Sequence, residues 1–120
     1  MGRRDWTAPP GDLDGQSKAF WRHTRSELQA QGTWKDSDAP LLERYVRQVE
    51  RARQARKNIP EDGTTRGSQG QLVEHPAIKT VREAERDAHK YATDLLLTPA
   101  SRKAQAGSSL DDEFADILGG

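Results

Sequence analysis

The chain is expected to be all-α, and three observations predict this. Apolar residues recur at helical spacing in two long stretches, Phe20, Trp21, Thr24, Leu28 and then Leu41, Leu42, Tyr45, Val46, Val49, Ala52. Neither stretch alternates polar and apolar residues as a half-buried strand would. Two later segments open on helix-starting pairs, His75-Pro76 and Thr98-Pro99. The architecture implied is a helical hairpin followed by a long third helix and a short fourth one.

Taken in order, residues 1–12 form an expected flexible arm, because Pro9, Pro10 and Gly11 preclude regular structure. Asp14 is placed to cap a first helix that ends at Gly32. A second helix starts near Asp36 to Asp38, with Pro40 in its first turn, and runs to about Asn58. Pro60, Gly63, Gly67 and Gly70 interrupt the helical rhythm over 59–74, where Leu72-Val73 suits a short extended piece, one half of a hairpin. The third helix carries Val81, Ala84, Ala88, Tyr91, Ala92, Leu95 and Leu96. Residues 13–106 thus make one helical domain, and from Gly107 the chain reads as a linker and an acidic tail, 107–120. The expected core or interface residues are Phe20, Trp21, Leu28, Leu42, Tyr45, Val46, Val49, Val81, Ala88, Leu95 and Leu96.

Composition limits what such a chain can do alone. Hydrophobic residues are 32% of its 120 and charged residues another 32%. Little apolar surface is available to offset a backbone ordering cost of roughly 1–2 kcal/mol per residue, so association with copies of itself is expected. The net charge of zero hides an asymmetry: residues 1–57 carry 12 Lys/Arg against 8 Asp/Glu, and 58–120 carry 7 against 11. That split suits a basic face for a polyanion and an acidic tail for a protein partner. With no cysteine there is no disulfide, thiolate nucleophile or thiolate metal site. No run is long enough for a membrane helix, no signal region opens the chain, and a soluble intracellular protein is expected.

The second helix carries Arg44, Arg47, Arg51, Arg53, Arg56 and Lys57 against only Glu43 and Glu50. Arg44, Arg47 and Arg51 share a face beside the apolar stripe, an arrangement that duplex DNA rewards through phosphate contacts and counterion release. A solvated helix surface, or pairing with acids of a neighbouring subunit, explains the same run. Arg3 and Arg4 on the arm, and Arg102 and Lys103 behind the Thr98 cap, are weaker DNA candidates. His23, His75 and His89 lack metal-ligand spacing, and a structural or surface role is expected for each. Carboxylates sit in no apolar stretch, and the Gly67-Ser-Gln-Gly70 turn lacks the strand and lysine of a phosphate loop. No catalytic residue, metal site or cofactor is therefore expected, and the chain does not read as an enzyme. In the tail, Leu110, Phe114, Ile117 and Leu118 fall on one helical face among Asp111, Asp112, Glu113 and Asp116, the format of a segment that folds into a partner's groove.

Five short segments stand in order along the chain: Lys18-Ala-Phe-Trp-Arg22, Asp38-Ala-Pro-Leu-Leu-Glu-Arg-Tyr45, Gly67-Ser-Gln-Gly-Gln-Leu-Val73, His75-Pro-Ala-Ile-Lys79 and Leu97-Thr-Pro-Ala-Ser-Arg102. With the acidic, Phe-containing end, they resemble the small terminase subunits of tailed double-stranded DNA phages and prophages, from about Leu13 to Gly120. The resemblance implies a helical homo-oligomer, assembled as a ring in the cytoplasm of an infected bacterium. It also implies recognition of double-stranded viral DNA and its delivery to the large terminase subunit, which holds the ATPase and nuclease. The tail residues Leu110, Phe114, Ile117 and Leu118 are then expected to meet that large subunit. Gln69 stands where the resemblance leads one to expect Asn, and Leu96 where it leads one to expect Gly. Two other classes fit the residues: a dimeric helical transcriptional regulator, which the break at 59–74 disfavours, and a structural virion or adaptor protein.

Overall fold

The computed structural model describes residues 7–106. Their order is α1 (Gly15–Gln31), a 3-10 turn (Asp36–Asp38), α2 (Ala39–Lys57), β1 (Thr64–Arg66), β2 (Leu72–Glu74) and α3 (Pro76–Asp94). Residues 99–106 form a further helix, α4, up to the last described position.

The punctuation acts as the sequence leads one to expect. Asp14 stays extended while its carboxylate accepts from the Ser17 N–H at 2.8 Å. Gly32 ends α1 in the left-handed conformation, φ 81°, and Thr33 donates back to the Leu28 carbonyl. Pro40 sits in the first turn of α2. His75 caps α3 through Nδ1, which accepts from the Ala77 N–H at 3.1 Å. Thr98 and Ser101 exchange side-chain and backbone bonds at the opening of α4. The expected structural role of a histidine is thus met at His75, while His23 and His89 are exposed.

The all-α expectation needs one amendment. β1 and β2 pair antiparallel, Thr64 with Glu74, Thr65 with Val73 and Arg66 with Leu72, so the extended piece at 72–73 has a partner. Thr64-Thr65-Arg66 carries no apolar alternation to announce a strand; its pairing comes from the turn. The Gly67 N–H donates to the Gln71 carbonyl, Gly70 takes φ 79°, and the Arg66 guanidinium bonds the Gly70 carbonyl at 3.0 Å.

Two packing zones hold the helices. In the first, Leu13, Trp21, Leu28, Leu42, Val46 and Leu95 form a buried cluster, with Phe20, Trp34, Leu41, Tyr45 and Leu97 packed against it. The end of α3 thereby meets the start of α2, so the two helices run antiparallel. In the second zone, buried Ala52 and Ala55 of α2 face α3, whose buried stripe is Val81, Ala84, Ala88 and Ala92. Of the expected core, Phe20, Tyr45, Val49 and Leu96 are only half-buried. Leu96 has left-handed backbone, φ 62°, at the position where the resemblance leads one to expect glycine. That conformation crowds Cβ, and the neighbours explain why it is held: Leu95 and Leu97 both reach the cluster.

Candidate nucleic-acid interface

The basic residues of α2 divide by partner. Arg47 clamps Asp12 with two bonds of 2.9 Å and also bonds Glu43 on its own helix at 2.8 Å. Arg53 donates to both oxygens of Asp14, at 2.7 and 2.6 Å, and to Ser17 Oγ. These two side chains fasten the start of α1 to the flank of α2, and the Asp14 N–H adds a bond to Glu50. Residues 7–12, assigned to the arm, are irregular, with Pro10 buried and Asp12 held by Arg47.

The electrostatics follow from this geometry. The Arg53 guanidinium, and then the Ser17 N–H, hold the Asp14 carboxyl far below its usual range. Asp12 and then Glu43 push the Arg47 guanidinium further above its already high value. Because the Asp14 pKa is depressed in the folded chain, its contribution to stability is complete above the ordinary carboxylate pKa of about 4. It is lost as pH falls from there through the depressed value.

Arg51 and Arg56 turn the other way. Arg51 reaches Glu83 of α3 at 4.0 Å, and Arg56 pairs with Glu85. These pairs flank the seam of small residues between α2 and α3. Arg44 and Lys57 are exposed and make no ion pair among the described residues. Arg102 and Lys103 are exposed on α4, where Arg102 donates to the Leu97 carbonyl and borders an open depression with Phe20, His23, Tyr45 and Leu97. By helical spacing Arg44, Arg47 and Arg51 fall on one side of α2, but Arg47 is drawn to Asp12 and Arg51 toward Glu83 of α3. Arg3, Arg4 and the tail residues Leu110, Phe114, Ile117 and Leu118 lie outside the described residues.

A second basic set escapes the sequence reading. Lys79, Arg82, Arg86 and Lys90 of α3 are exposed, with His89 beside them. At 100° per residue the four cations fall within an arc of about 80°, opposite the buried stripe Val81, Ala84, Ala88 and Ala92. Their spacing of three, four and four is the available signal. The net negative charge of residues 58–120 conceals it.

Among the described residues no group of His, Asp and Glu is arranged to hold a metal ion, and no helix is long and apolar enough to cross a membrane. No curated protein and no solved structure shows a significant match to the chain. The model of the family described as phage terminase, small subunit, does match, over residues 17–112. That span includes both basic helices, the hairpin and the opening of the tail, and the chain belongs to the phage terminase small subunit family.

Proposed function

We propose that this protein recognises viral double-stranded DNA for packaging and hands it to the large terminase subunit, whose ATPase and nuclease it regulates. The observation that carries the reading is the family match over 17–112, which supports a part in phage DNA packaging. The chain acts without catalysis or cofactor of its own, as a homo-oligomer, with a ring as its assembled form, in the cytoplasm of the infected bacterium. Its low apolar content supports assembly, since neighbours supply burial that one copy lacks.

In this reading DNA contact on α2 falls first to Arg44 and Lys57. Arg47, Arg51, Arg53 and Arg56 keep their acidic partners and lend remaining N–H groups. Arg102 and Lys103, with Arg3 and Arg4 of the arm, add lesser contacts. Leu110, Phe114, Ile117 and Leu118 form the apolar face that meets the large subunit, so 107–120 acts as the connecting tail.

The test combines DNA binding with coupling to the large subunit. Duplex affinity should fall by about 1,000-fold or more between roughly 50 and 200 mM salt. Deleting residues 107–120 should leave that affinity and the oligomeric mass intact, while the large subunit's ATPase loses its response to this protein. A full-length chain with no salt-dependent affinity for duplex would sink the DNA reading; an unaltered ATPase response would remove the tail from the contact.

A further inference from the structure

We infer that the outward face of α3, built by Lys79, Arg82, Arg86 and Lys90, is a phosphate-contacting surface for duplex DNA, separate from α2. The inference rests on the DNA reading above and says where on the molecule the backbone is held.

The contrast in pairing carries it. On α2, Arg47 and Arg53 are spent on Asp12 and Asp14, 35 and 39 residues away, in contacts that position α1. On α3 Lys79 and Arg86 have only loose neighbours on their own helix, and Arg82 alone is bonded, to Glu74 of β2. Lys79 lies 3.9 Å from Glu83, Arg86 lies 3.5 Å from adjacent Asp87, and Arg82 meets Glu74 at 3.2 Å. The side chains of Lys79, Arg82 and Arg86 are 78%, 67% and 74% exposed, against 38% for Arg47 and 21% for Arg53. Lys90 makes no ion pair among the described residues, and it too is exposed.

Charge is also sorted by side. Glu85 lies on the side toward α2 and meets Arg56, while Glu83 stands just outside the arc beyond Lys90, where it lies near both Lys79 and Arg51. Between its edges the outer arc holds no acid. A merely solvated helix face mixes signs, because alternating charges pair along it. A surface of one sign, with nothing buried against it, attracts a polyanion and releases its counterions on contact. From Lys79 to Lys90 the arc spans about 16 Å of helix, enough to bridge a major groove about 12 Å wide and meet phosphates on both of its edges. Arg47 and Arg53 of α2 cannot respond in the same way without releasing α1.

The test is the salt dependence of duplex binding by the full chain carrying Lys79→Gln, Arg86→Gln and Lys90→Gln, with Arg82 kept for its bond to Glu74. The slope of log K against log salt should shrink by about 2 to 3, since each phosphate that is no longer neutralised removes about 0.9. The charge-conserving variant Lys79→Arg, Arg86→Lys, Lys90→Arg should keep the full slope, which separates the effect of charge from a failure to fold. Arg44→Gln with Lys57→Gln serves as the α2 comparison. Wild-type binding with an unchanged slope in the triple Gln variant would overturn the α3 assignment and leave the DNA reading standing. Absence of wild-type binding would overturn both. A fall in oligomeric mass with the slope unaltered would show that the arc faces a neighbouring subunit, and would overturn it as well.

Discussion

The two packing zones are built on opposite principles. At the corner where α1, the start of α2 and the end of α3 meet, large side chains fill the space: Trp21, Leu28, Leu42 and Val46 are all under 2% exposed. Along the rest of α2 and α3 the contact is made by alanines. Large side chains bury more apolar area, at roughly 25 cal/mol per Å², so the corner contributes most of the hydrophobic stabilisation. The seam contributes close approach of two backbones and burial of small side chains, while the half-exposed ion pairs at its margins add little. The corner therefore decides whether the chain folds, and the seam decides how α3 is carried on α2.

The largest effect should come from emptying the corner. Trp21→Ala removes a ring that is 1% exposed and is expected to cost about 3–5 kcal/mol, a large fraction of the stability of so small a domain, read as a lowered thermal midpoint. A loss under about 1 kcal/mol would mean that the corner collapses around the gap and is not the main support. Overfilling the seam should cost less. Ala84 is fully buried, and Ala84→Leu should destabilise by about 1–3 kcal/mol by pushing α3 away from α2. If the substitution stabilised the protein, the seam would hold unfilled space and the contrast with the corner would fail.

The smallest effect sharpens the boundary between the zones. Leu96 accepts left-handed backbone so that Leu95 and Leu97 can both reach the corner. Leu96→Gly should be more stable than Leu96→Ala by about 1 kcal/mol, the reverse of the order at any ordinary helical position, as calorimetry of the two variants would show. The usual order, alanine above glycine, would mean that this backbone is not held as described.

What could be read from the sequence was what local chemistry decides. Asp14 and Gly32 mark the ends of α1, and His75 with Pro76 and Thr98 open their helices, because each signal acts on N–H and C=O groups within a few residues. The bulky stripe was legible too, since Trp21, Leu28, Leu42 and Val46 fall at helical spacing. The destinations of Arg47 and Arg53 were not. Their partners are more than thirty residues away, and a basic run gives no sign of which acid will meet it. The strand at Thr64–Arg66 escaped for a related reason: its pairing depends on the turn that follows, not on its own residues. Ala84 and Ala92 are placed on the third helix by their spacing but not in the expected core, and only the approach of α2 makes them part of an interface.

Within the corner, Arg25 lies between two indole rings, 5.8 Å from the centre of Trp21 and 5.7 Å from that of Trp34, whose N–H is bonded to Asp36. A guanidinium held there is a local electric perturbation of both chromophores, and α3 holds no tryptophan at all. With the chain's third tryptophan replaced by Trp6→Phe, the emission of these two rings is thus a built-in optical gauge of the α1 end of the molecule. It is sensitive to whatever displaces Arg25 and indifferent to a ligand that lies along the far side of α3.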